Sequence, residues 1–551
     1  NHSLNQSPMT GIDIIVFVGY CMLIVGIGLW VSRDKEGHQK NAEDYFLAGK
    51  SLPWWAIGAS LIAANISAEQ IIGMSGSGFA VGLAIASYEW MAAITLIIVG
   101  KYLLPIFIEK KLYTIPEFIE HRFNTTLKTI LAIFWIALFV FVNLTTVIFL
   151  GAKALDTIMG TGDGSLLIYA LLGLALIAAA YSLYGGLSAV AWTDVMQVGL
   201  LILGGFVTTF VALNNITPEG GIFNGFAHLY EVAGEKFHMI LDRDNPEFSN
   251  LPGIAVLIGG LWVANLYYWG FNQYIIQRTL AAKSLKEAQK GIIFAAFLKL
   301  LIPLIVVIPG IIVYVLYVQP EGTARIPGIF EVFTRPDGGI RYDNAYPWLI
   351  SVFLSPGFKG LVVAALAAAI VSSLASMLNS VATIFTMDIY RPYINKHATD
   401  KQTVNMGRIT AAVALVTCVL IAPQLENVPQ VFQYIQEYTG LVSPGILAVF
   451  MMGLFWKKTT TKGAIYGVLS SIVIALLLKI PSLQLPFLDQ MYYTLILTIV
   501  IIAGVSLTTN PYDEDPKAIH TTAETFKTGP SFNIGAYAIL IITAVLYAVF
   551  W

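Results

Sequence analysis

Strongly polar side chains interrupt a stretch of this sequence that is otherwise apolar enough to cross a membrane. Residues 53–79 carry the run Asn65-Ile66-Ser67-Ala68-Glu69-Gln70 between two apolar halves, and glycines loosen the second half. A carboxylate near the bilayer midplane costs at least about 2.5 kcal/mol, so a spanning helix rarely carries one without a use. An interrupted helix exposes backbone groups that can bind ions and polar solutes. The pattern favours a discontinuous helix, and the alternative is a continuous span whose polar groups bond to neighbouring helices.

A second apolar stretch, residues 357–388, supplies oxygen atoms that suit a hard cation. Its run from Ala369 to Ser373 places a backbone carbonyl and the hydroxyls of Ser372 and Ser373 on adjacent faces of one helical turn. Sodium prefers oxygen ligands, as other hard cations do. The carbonyls of Ala63 and Ile66 are three residues apart and therefore share a face. A sodium site between the two stretches is one hypothesis; packing, or bonding of both serines back to their own helix, is the other.

Two opposite charges lie in apolar surroundings, and amides accompany them. Glu89 (ASYEWMAAITL) and Lys299 (IIFAAFLKLLIPL) are each expensive in hydrocarbon, so we expect them to pair with each other or with a polar ligand. Such groups suit the hydroxyls of an uncharged polyol, but the pair can also serve helix packing alone. The amides that could join them are Asn65, Gln70, Asn265, Gln433 and Gln436. The aromatic residues between these groups suit the faces of a sugar ring, although aromatics this frequent usually belong to a core or an interface belt; they are Tyr88, Tyr268, Trp269 and Phe432.

Asp194 ends a tight glycine turn, YGGLSAVAWTD, at the predicted cytoplasmic side. Its carboxylate could attract a departing cation. It could equally cap the N-terminus of a helix, and the residue type alone favours the cap.

The composition places all these residues in a membrane protein. The chain has 551 residues, of which 57% are hydrophobic and 12% are charged, whereas soluble chains carry about 25% charged residues. A formal net charge of −2 argues against a nucleic-acid partner. The two cysteines lie in apolar runs and imply no disulfide framework. The first apolar run, 12–30, reads as a retained anchor because it lacks a positively charged region and a cleavage site.

A span needs about 20 apolar residues, and by that rule we predict about fourteen transmembrane helices. They lie near 11–32, 53–79, 83–109, 125–158, 165–184, 189–215, 251–276, 288–318, 357–388, 405–424, 430–456, 462–480, 487–508 and 532–551. Lys and Arg concentrate in one set of connections, among them the one with Arg278, which should be cytoplasmic. With an even number of spans, both termini are then expected outside. Two long outer connections, 216–250 and 319–347, are expected to act as lids or as simple packing.

The spans show a weak internal symmetry. A second polar run, from Asn265 to Gln273, interrupts the span at 251–276, and interrupted spans at matching places in two halves point to a transporter binding site. Five spans separate the two, so the second copy is inverted. The predicted divisions are an N-terminal anchor and cytoplasmic loop at 1–52, a first five-helix repeat at 53–216, an outer loop at 217–250, a second repeat at 251–456 and three further helices at 457–551.

Long strings of this sequence resemble the solute:sodium symporter family. They include KSLPWWAIGASLIAANISAEQIIGMSGSGF, GGLWVANLYYWGFNQYIIQRTLAAKS, AALAAAIVSSLASMLNS and FQYIQEYTGLVSPGILAVF, and the resemblance covers essentially the whole chain. It implies an all-α fold of fourteen helices with an inverted five-helix repeat. It also implies sodium-coupled import of a hexose by alternating access across the bacterial cytoplasmic (inner) membrane, with galactose favoured over glucose. The alternative is a sodium symporter for another sugar, an amino acid or an organic acid.

The resemblance also implies roles for individual residues. Sodium would be bound by Ala63, Ile66, Ala369, Ser372 and Ser373, and Asp194 would lie on its inward exit route. The sugar would be bound by Asn65, Gln70, Glu89, Asn265, Lys299, Gln433 and Gln436. Tyr268 and Trp269 would close the pocket on the inner side, and Met74, Tyr88 and Phe432 on the outer side.

Two residues depart from the galactose-binding pattern. The chain has Ala92 and Phe139 where the resemblance implies hydroxyl-bearing residues in galactose-binding members of the family. We therefore expect the pocket to lose two hydrogen bonds, each of which contributes about 0.5–1.5 kcal/mol. A membrane enzyme would need a nucleophile–base pair or a metal cluster, and the sequence shows neither. A channel would lack occlusion and saturation, which counterflow exchange tests.

Overall fold

The computed structural model describes residues 9–34, 36–159, 165–319, 326–334, 337–427 and 431–551, without the side chains of Tyr181, Tyr184, Asn427 and Gln433. Within these residues the chain is helical, and the only β-type pairings are two isolated bridges. The expected all-α fold is confirmed for this part of the chain.

The described residues up to Leu280 contain fourteen α-helices. They are α1 Gly11–Val31, α2 Ala42–Leu47, α3 Trp54–Asn65, α4 Ser75–Ala80, α5 Ser87–Ile98, α6 Leu104–Glu109, α7 Ile115–Arg122, α8 Thr125–Leu138, α9 Thr145–Met159, α10 Leu167–Asn215, α11 Ile222–Ala233, α12 Ala255–Ile258, α13 Gly260–Phe271 and α14 Gln273–Leu280.

The second half continues with α15 Leu285–Val318, α16 Ile329–Phe333, α17 Ala345–Phe353, α18 Phe358–Ile384, α19 Asp400–Ile421, α20 Val431–Phe455, α21 Thr461–Leu478, α22 Phe487–Thr509 and α23 Pro530–Val549. Four π-helical segments extend or join these helices, at Glu69–Met74, Val99–Leu103, Phe139–Leu144 and Phe385–Ile394.

Eleven helices of the described chain are long and apolar enough to cross a membrane, or twelve if one bent pair is a single span. The bent pair is the interrupted stretch that the sequence predicts. Trp54–Asn65 and Glu69–Ala80 meet at 61°, and Ile66 between them has extended backbone angles (φ −75°, ψ 90°). The prediction of a discontinuous helix at 53–79 is confirmed, and the alternative of a continuous span is wrong.

Two other predicted spans do not form single, separate helices. The stretch 165–184 contains the shorter apolar helix Leu167–Ala180, which α10 continues into the span Leu187–Asn215. The prediction of a tight turn at the glycines of YGGLSAVAWTD is therefore wrong, because α10 is continuous there. A straight helix of 49 residues would be about 74 Å long, more than twice the hydrocarbon thickness of about 30 Å. Since Tyr45, before the first interrupted helix, donates to the carbonyl of Leu183 (3.3 Å), the middle of α10 lies on the side of the connection between α1 and α3.

The stretch 251–276 divides into α12, α13 and α14. The polar run was expected to interrupt this span, and it does so at Asn272, whose backbone is extended (φ −100°, ψ 117°). Asn265 itself lies within α13. Both interrupted spans therefore leave helix ends inside the bundle.

The most enclosed of the long apolar helices is Phe358–Ile394, with 94% of its apolar window buried. Its first part, α18, packs against α1, α3, α9, α10 and α14. Small residues allow these close approaches; a Cβ at Gly360 would lie 2.6 Å from the backbone of Asp13 in α1. The Asp13 carboxylate in turn accepts hydrogen bonds from the amides of Gly357 and Gly360 (both 2.8 Å) and thereby caps the N-terminus of α18 from a neighbouring helix.

Candidate functional site

A cavity of about 70 Å³ lies where the two interrupted spans meet α5, α15 and α20. One buried water needs about 10–15 Å³ by the same measure, so the cavity is several times larger than a single-water hole. Six of the seven residues predicted to bind substrate line it, namely Asn65, Gln70, Glu89, Asn265, Lys299 and Gln436. The side chain of the seventh, Gln433, lies outside the described residues.

The predicted pairing of the two intramembrane charges is confirmed. The Lys299 ammonium lies 2.5 Å from a carboxylate oxygen of Glu89, and both side chains are buried. Lys299 also donates to the side-chain carbonyl of Asn65 at the end of α3, and its ammonium lies 5.1 Å from the centre of the Trp269 ring. The Lys299 ammonium is thus paired with an acidic side chain, and it adds no unpaired cation to the cavity.

Polar atoms without partners are concentrated in the cavity wall. Among the described residues, six buried side-chain atoms there have no hydrogen-bond partner, although buried polar atoms almost always have one. They are Glu69 Oε1, Asn143 Oδ1, Asn265 Nδ2, Asn272 Oδ1, Thr439 Oγ1 and Ser443 Oγ. The set mixes an amide donor, hydroxyls that donate or accept, and carbonyl and carboxylate acceptors. A ligand with several hydroxyl groups can satisfy all of them.

Several of these residues were not predicted as site residues. Glu69 belongs to the polar run at the first break, and the cost of a carboxylate in an apolar span is the signal that could have identified it. Asn143 lies in the π-helical segment Phe139–Leu144, and a single asparagine in an otherwise apolar span is the signal that could have identified it. Thr439 and Ser443 lie four residues apart, hence on one face of α20.

The five predicted gate residues all line the cavity, and they do so on two sides. Tyr88 and Phe432 pack edge to face with ring centres 5.8 Å apart. Both also line a second cavity of about 30 Å³, whose other walls include Asn250 and Asp343 from the two long connections. The two rings therefore separate the central cavity from a vestibule beneath those connections.

On the opposite side a chain of hydrogen bonds crosses between the two interrupted spans. The Asn65 amide donates to the Tyr268 hydroxyl (2.9 Å), and the Tyr274 hydroxyl of α14 donates to the same oxygen (2.8 Å). The Trp269 ring packs edge to face on Tyr268, with centres 5.1 Å apart. Tyr268 therefore closes the cavity floor through bonds to both interrupted spans.

Two of the residues predicted to bind sodium, Ala63 and Ile66, lie at the first break. Here two backbone amides bond to side chains, with Ser67 N donating to Gln70 Oε1 (3.5 Å) and Glu69 N donating to Ser67 Oγ (3.2 Å). Ser373 of α18 donates to the carbonyl of Ala64 (2.7 Å). The predicted proximity of α18 to the break is therefore present. The described residues contain no group of three or more His, Cys, Asp or Glu side chains that could hold a metal ion.

Asp194 does not cap a helix, because it lies inside α10, and that alternative is wrong. Its carboxylate accepts from the hydroxyls of Ser60 (2.6 Å) and Ser372 (2.5 Å) and pairs with Arg278 at 3.2 Å. Both charged side chains are 0% exposed. The cluster joins α3, α10, α14 and α18, so it connects both interrupted spans to the helix that carries the predicted sodium ligands.

The expectation that Arg278 lies in a connection between spans is wrong. This residue lies in α14 and donates to the Ser60 hydroxyl (2.8 Å), the Tyr274 carbonyl (2.8 Å) and the Ser376 hydroxyl. A buried guanidinium requires such partners for all its donors.

The two departures from the galactose-binding pattern fall in different places. Ala92 lines the central cavity, as expected. Phe139 does not line it; its ring packs edge to face on Tyr274, with centres 5.7 Å apart. The expectation that both positions would face the sugar is therefore wrong for Phe139, which instead contacts the tyrosine below the cavity floor.

With this geometry in place, the chain can be compared with known proteins. The family model for the sodium:solute symporter family matches residues 45–470. The chain is 64% identical over 546 residues to the sodium/glucose cotransporter of Vibrio parahaemolyticus. This alignment covers 99% of each of the two chains. It is 34% identical over 496 residues to sodium/myo-inositol cotransporter 2 of Mus musculus, covering 88% of this chain and 71% of the relative.

A solved structure of a Na⁺-coupled sialic acid symporter, in a substrate-bound outward-open state, superimposes with a TM-score of 0.76 at 23% identity. The alignment covers 92% of this chain and 99% of the symporter, and shows that the fold is shared. The family model and the near-complete alignment at 64% identity agree. The chain belongs to the sodium:solute symporter family and is a sodium-coupled membrane transporter, not an enzyme.

Proposed function

We propose that this protein imports a hexose together with sodium by alternating access, with galactose the favoured substrate and glucose the second. The observation that carries the proposal is the set of six unpartnered polar atoms around the central cavity. A hexose presents hydroxyls that both donate and accept, and ring faces that pack on aromatics such as Trp269. The names of the Vibrio parahaemolyticus and Mus musculus relatives, which specify glucose and myo-inositol, agree with a polyhydroxylated substrate.

The charges of the cavity favour an uncharged solute over an amino acid or an organic acid. A carboxylate substrate would need a cation, and Lys299 is the only lysine or arginine among the residues that line the cavity. Its ammonium already contacts Glu89 and Asn65, and Glu69 adds a second acidic side chain to the wall. A substrate carboxylate would therefore find no cation in this wall that lacks an acidic partner.

We propose that sodium couples to the sugar through the break in the first interrupted span. Sodium would bind the carbonyls of Ala63, Ile66 and Ala369 and the hydroxyls of Ser372 and Ser373. Binding there would hold α3 against α18, as the Ser373–Ala64 hydrogen bond already does. Asn65 and Gln70 flank the break and line the cavity, so the sodium ligands and the sugar ligands share one short segment. Each ligand then strengthens the binding of the other.

The transport cycle follows from the two sides of the cavity. Met74, Tyr88 and Phe432 would open towards the vestibule, and Tyr268 and Trp269 would open towards the opposite side. We propose fourteen spans with an inverted repeat of five, whose halves rock about the cavity, in the bacterial inner membrane with both termini outside. Sodium would leave past Asp194, whose carboxylate bonds to the candidate ligand Ser372.

The available driving force is sufficient for accumulation. One sodium ion that crosses about 100 mV contributes about 2.3 kcal/mol, and a tenfold gradient adds about 1.4 kcal/mol. If one sodium ion moves with each sugar molecule, the two free energies together can accumulate the sugar inside roughly several hundred-fold.

The test is uptake of labelled galactose and glucose into proteoliposomes under an inward sodium gradient, with equal sodium on both sides, and without sodium. We expect accumulation only with the gradient, and competition by unlabelled galactose and glucose ranks the two sugars.

Ser373→Ala should weaken the sodium dependence, whereas Ser470→Ala should not, because the Ser470 hydroxyl is on an exposed face and bonds to its own helix. Equal accumulation under all three conditions would show that the protein does not couple the two solutes.

A further inference from the structure

A large apolar crevice lies beside the sugar cavity and has no part in the proposed transport cycle. It measures about 740 Å³, which is within the usual size range of ligand sites. Its walls are α15, α23 and α11, and its floor includes Leu83 and Trp90. The wall residues include Phe226, Ala227, Tyr230, Leu300, Leu301 and Ile542.

The crevice opens sideways, where a membrane protein meets lipid. Leu301, Ile542 and Tyr230 at its edges are 42%, 39% and 61% exposed, and α15 and α23 are both long enough to cross the bilayer. An apolar space of this kind does not hold ordered water. The hydrocarbon of the bilayer is the medium that surrounds these spans, so the occupant that fits the chemistry is an acyl chain.

Contacts at the end of α23 attach this helix to the 216–250 connection. The amide of Met239, in the connection after α11, donates to the carbonyl of Phe550 (2.7 Å). The rings of Phe237 and Phe550 pack with centres 6.4 Å apart. The end of α23 is thereby attached to the 216–250 connection, which places the crevice in the half of the bilayer next to that connection.

The two helices behind the crevice also carry the charged pair of the sugar cavity. On α5, Trp90 lines the crevice and the adjacent Glu89 lines the cavity. On α15, Leu300 lines the crevice and the adjacent Lys299 lines the cavity. Whatever fills the crevice therefore contacts the helices that position the Glu89–Lys299 pair.

We propose that a phospholipid in the leaflet next to the 216–250 connection inserts one acyl chain into this crevice, and that the chain sets the position of α5 and α15 at the sugar cavity. Filling the crevice with a side chain should displace the lipid and shift the KM for sugar by about 2- to 30-fold, the range of mutations that modulate coupling between sites.

Trp90 provides a probe for the occupant. The full-length protein is placed in nanodiscs of ordinary phospholipid or of phospholipid brominated along the acyl chains. The fluorescence of Trp90 is the difference between wild type and Trp90→Phe. Trp90 is only 4% exposed, so bromine quenches its emission only if a chain enters the crevice. We expect most of this emission to be lost. Trp30 and Trp551 are 63% and 54% exposed and serve as positive controls, with Trp30→Phe and Trp551→Phe supplying their difference signals.

Matched alanine variants locate the effect. Ala227 lines the crevice, whereas Ala544 is exposed on α23 and lies about 200° around that helix from Ile542. Ala227→Phe should relieve the quenching of Trp90 and shift the KM, and Ala544→Phe should do neither. If Ala227→Phe fails to fold, Leu301→Phe tests the same wall.

Two results would overturn the proposal. An unquenched Trp90 beside quenched Trp30 and Trp551 would mean that the crevice is empty or is filled by protein, such as a second copy. Relief of quenching by Ala227→Phe with no change in KM would refute the link between the crevice and the sugar cavity.

Discussion

The buried pair of Asp194 and Arg278 allows a sharp prediction about stability and sodium release. In wild type, Arg278 donates to Asp194, Ser60, Ser376 and the carbonyl of Tyr274. Asp194→Asn keeps the shape of the side chain but removes the only negative charge that the structure pairs with Arg278. Both side chains are 0% exposed, so the guanidinium would remain buried with no counter-charge.

The expected cost is large for a single isosteric change. Breaking a buried pair by removing one partner destabilises by about 3–5 kcal/mol, because an uncompensated charge remains. The hydrogen bonds that Arg278 keeps place the value towards the lower end of that range. The double variant Asp194→Asn/Arg278→Gln removes both charges and should recover a part of the loss, with a coupling energy of about 0.5–3 kcal/mol.

The assay is thermal unfolding of the purified protein for wild type, both single variants and the double variant. Glu524→Gln is the control, since its pair with Lys527 is 75% and 72% exposed and should contribute little. Sodium-dependent sugar uptake is measured in parallel, and Asp194→Asn should raise the sodium concentration for half-maximal uptake. The pair does not hold the four helices together as described if the Asp194→Asn protein unfolds at the same temperature as wild type. The same conclusion follows if the destabilisations caused by Asp194→Asn and Arg278→Gln are additive in the double variant.

Three further predictions concern the cavity and its surroundings. Ala92→Ser restores a hydroxyl in the cavity wall and should lower the KM for galactose by about 2- to 10-fold; Ala93→Ser, which is buried but does not line the cavity, should leave it unchanged. Tyr274→Phe removes the hydrogen bond to Tyr268 and should speed sugar efflux from preloaded liposomes by about 2- to 10-fold. An unchanged efflux rate would show that this hydrogen bond does not help to close the floor of the cavity. Burial raises the pKa of Glu117, in the short helix α7 between two spans, to about 7. Its folded-state pKa is therefore above the unfolded value near 4.5, the folded protein binds the extra proton, and stability should fall as pH rises from about 4.5 to 7. Glu117→Gln should flatten this dependence in thermal unfolding, and a parallel pH profile for both proteins would contradict it.

The interrupted helix could be predicted because its signal is local and energetic. A carboxylate and three other polar residues within six positions of an apolar span have few low-energy alternatives in lipid. The pairing of Glu89 with Lys299 follows from the same cost, since two isolated opposite charges in hydrocarbon have each other as the natural partner.

Other features depend on which residues meet across the bundle, and sequence periodicity does not contain that information. Arg278 resembles a cytoplasmic charge because it follows an apolar span by a few residues, but α14 carries it into the bundle to meet Asp194. Phe139 shares its apolar span with the cavity residue Asn143, yet its ring faces Tyr274. Neither partner could be identified without the three-dimensional arrangement.

The contact between α1 and α18 has a consequence for how the bundle moves. One carboxylate, Asp13, fastens the first turn of α18 at two backbone amides, and a glycine there lets the two backbones touch. We expect that end of α18 to act as a fixed pivot, so that any tilt of the helix has its greatest sweep at the far end, near Phe385–Ile394. Helix α1, which lies outside both predicted repeats, would then be a mechanical support for the transport machinery and more than an anchor in the bilayer.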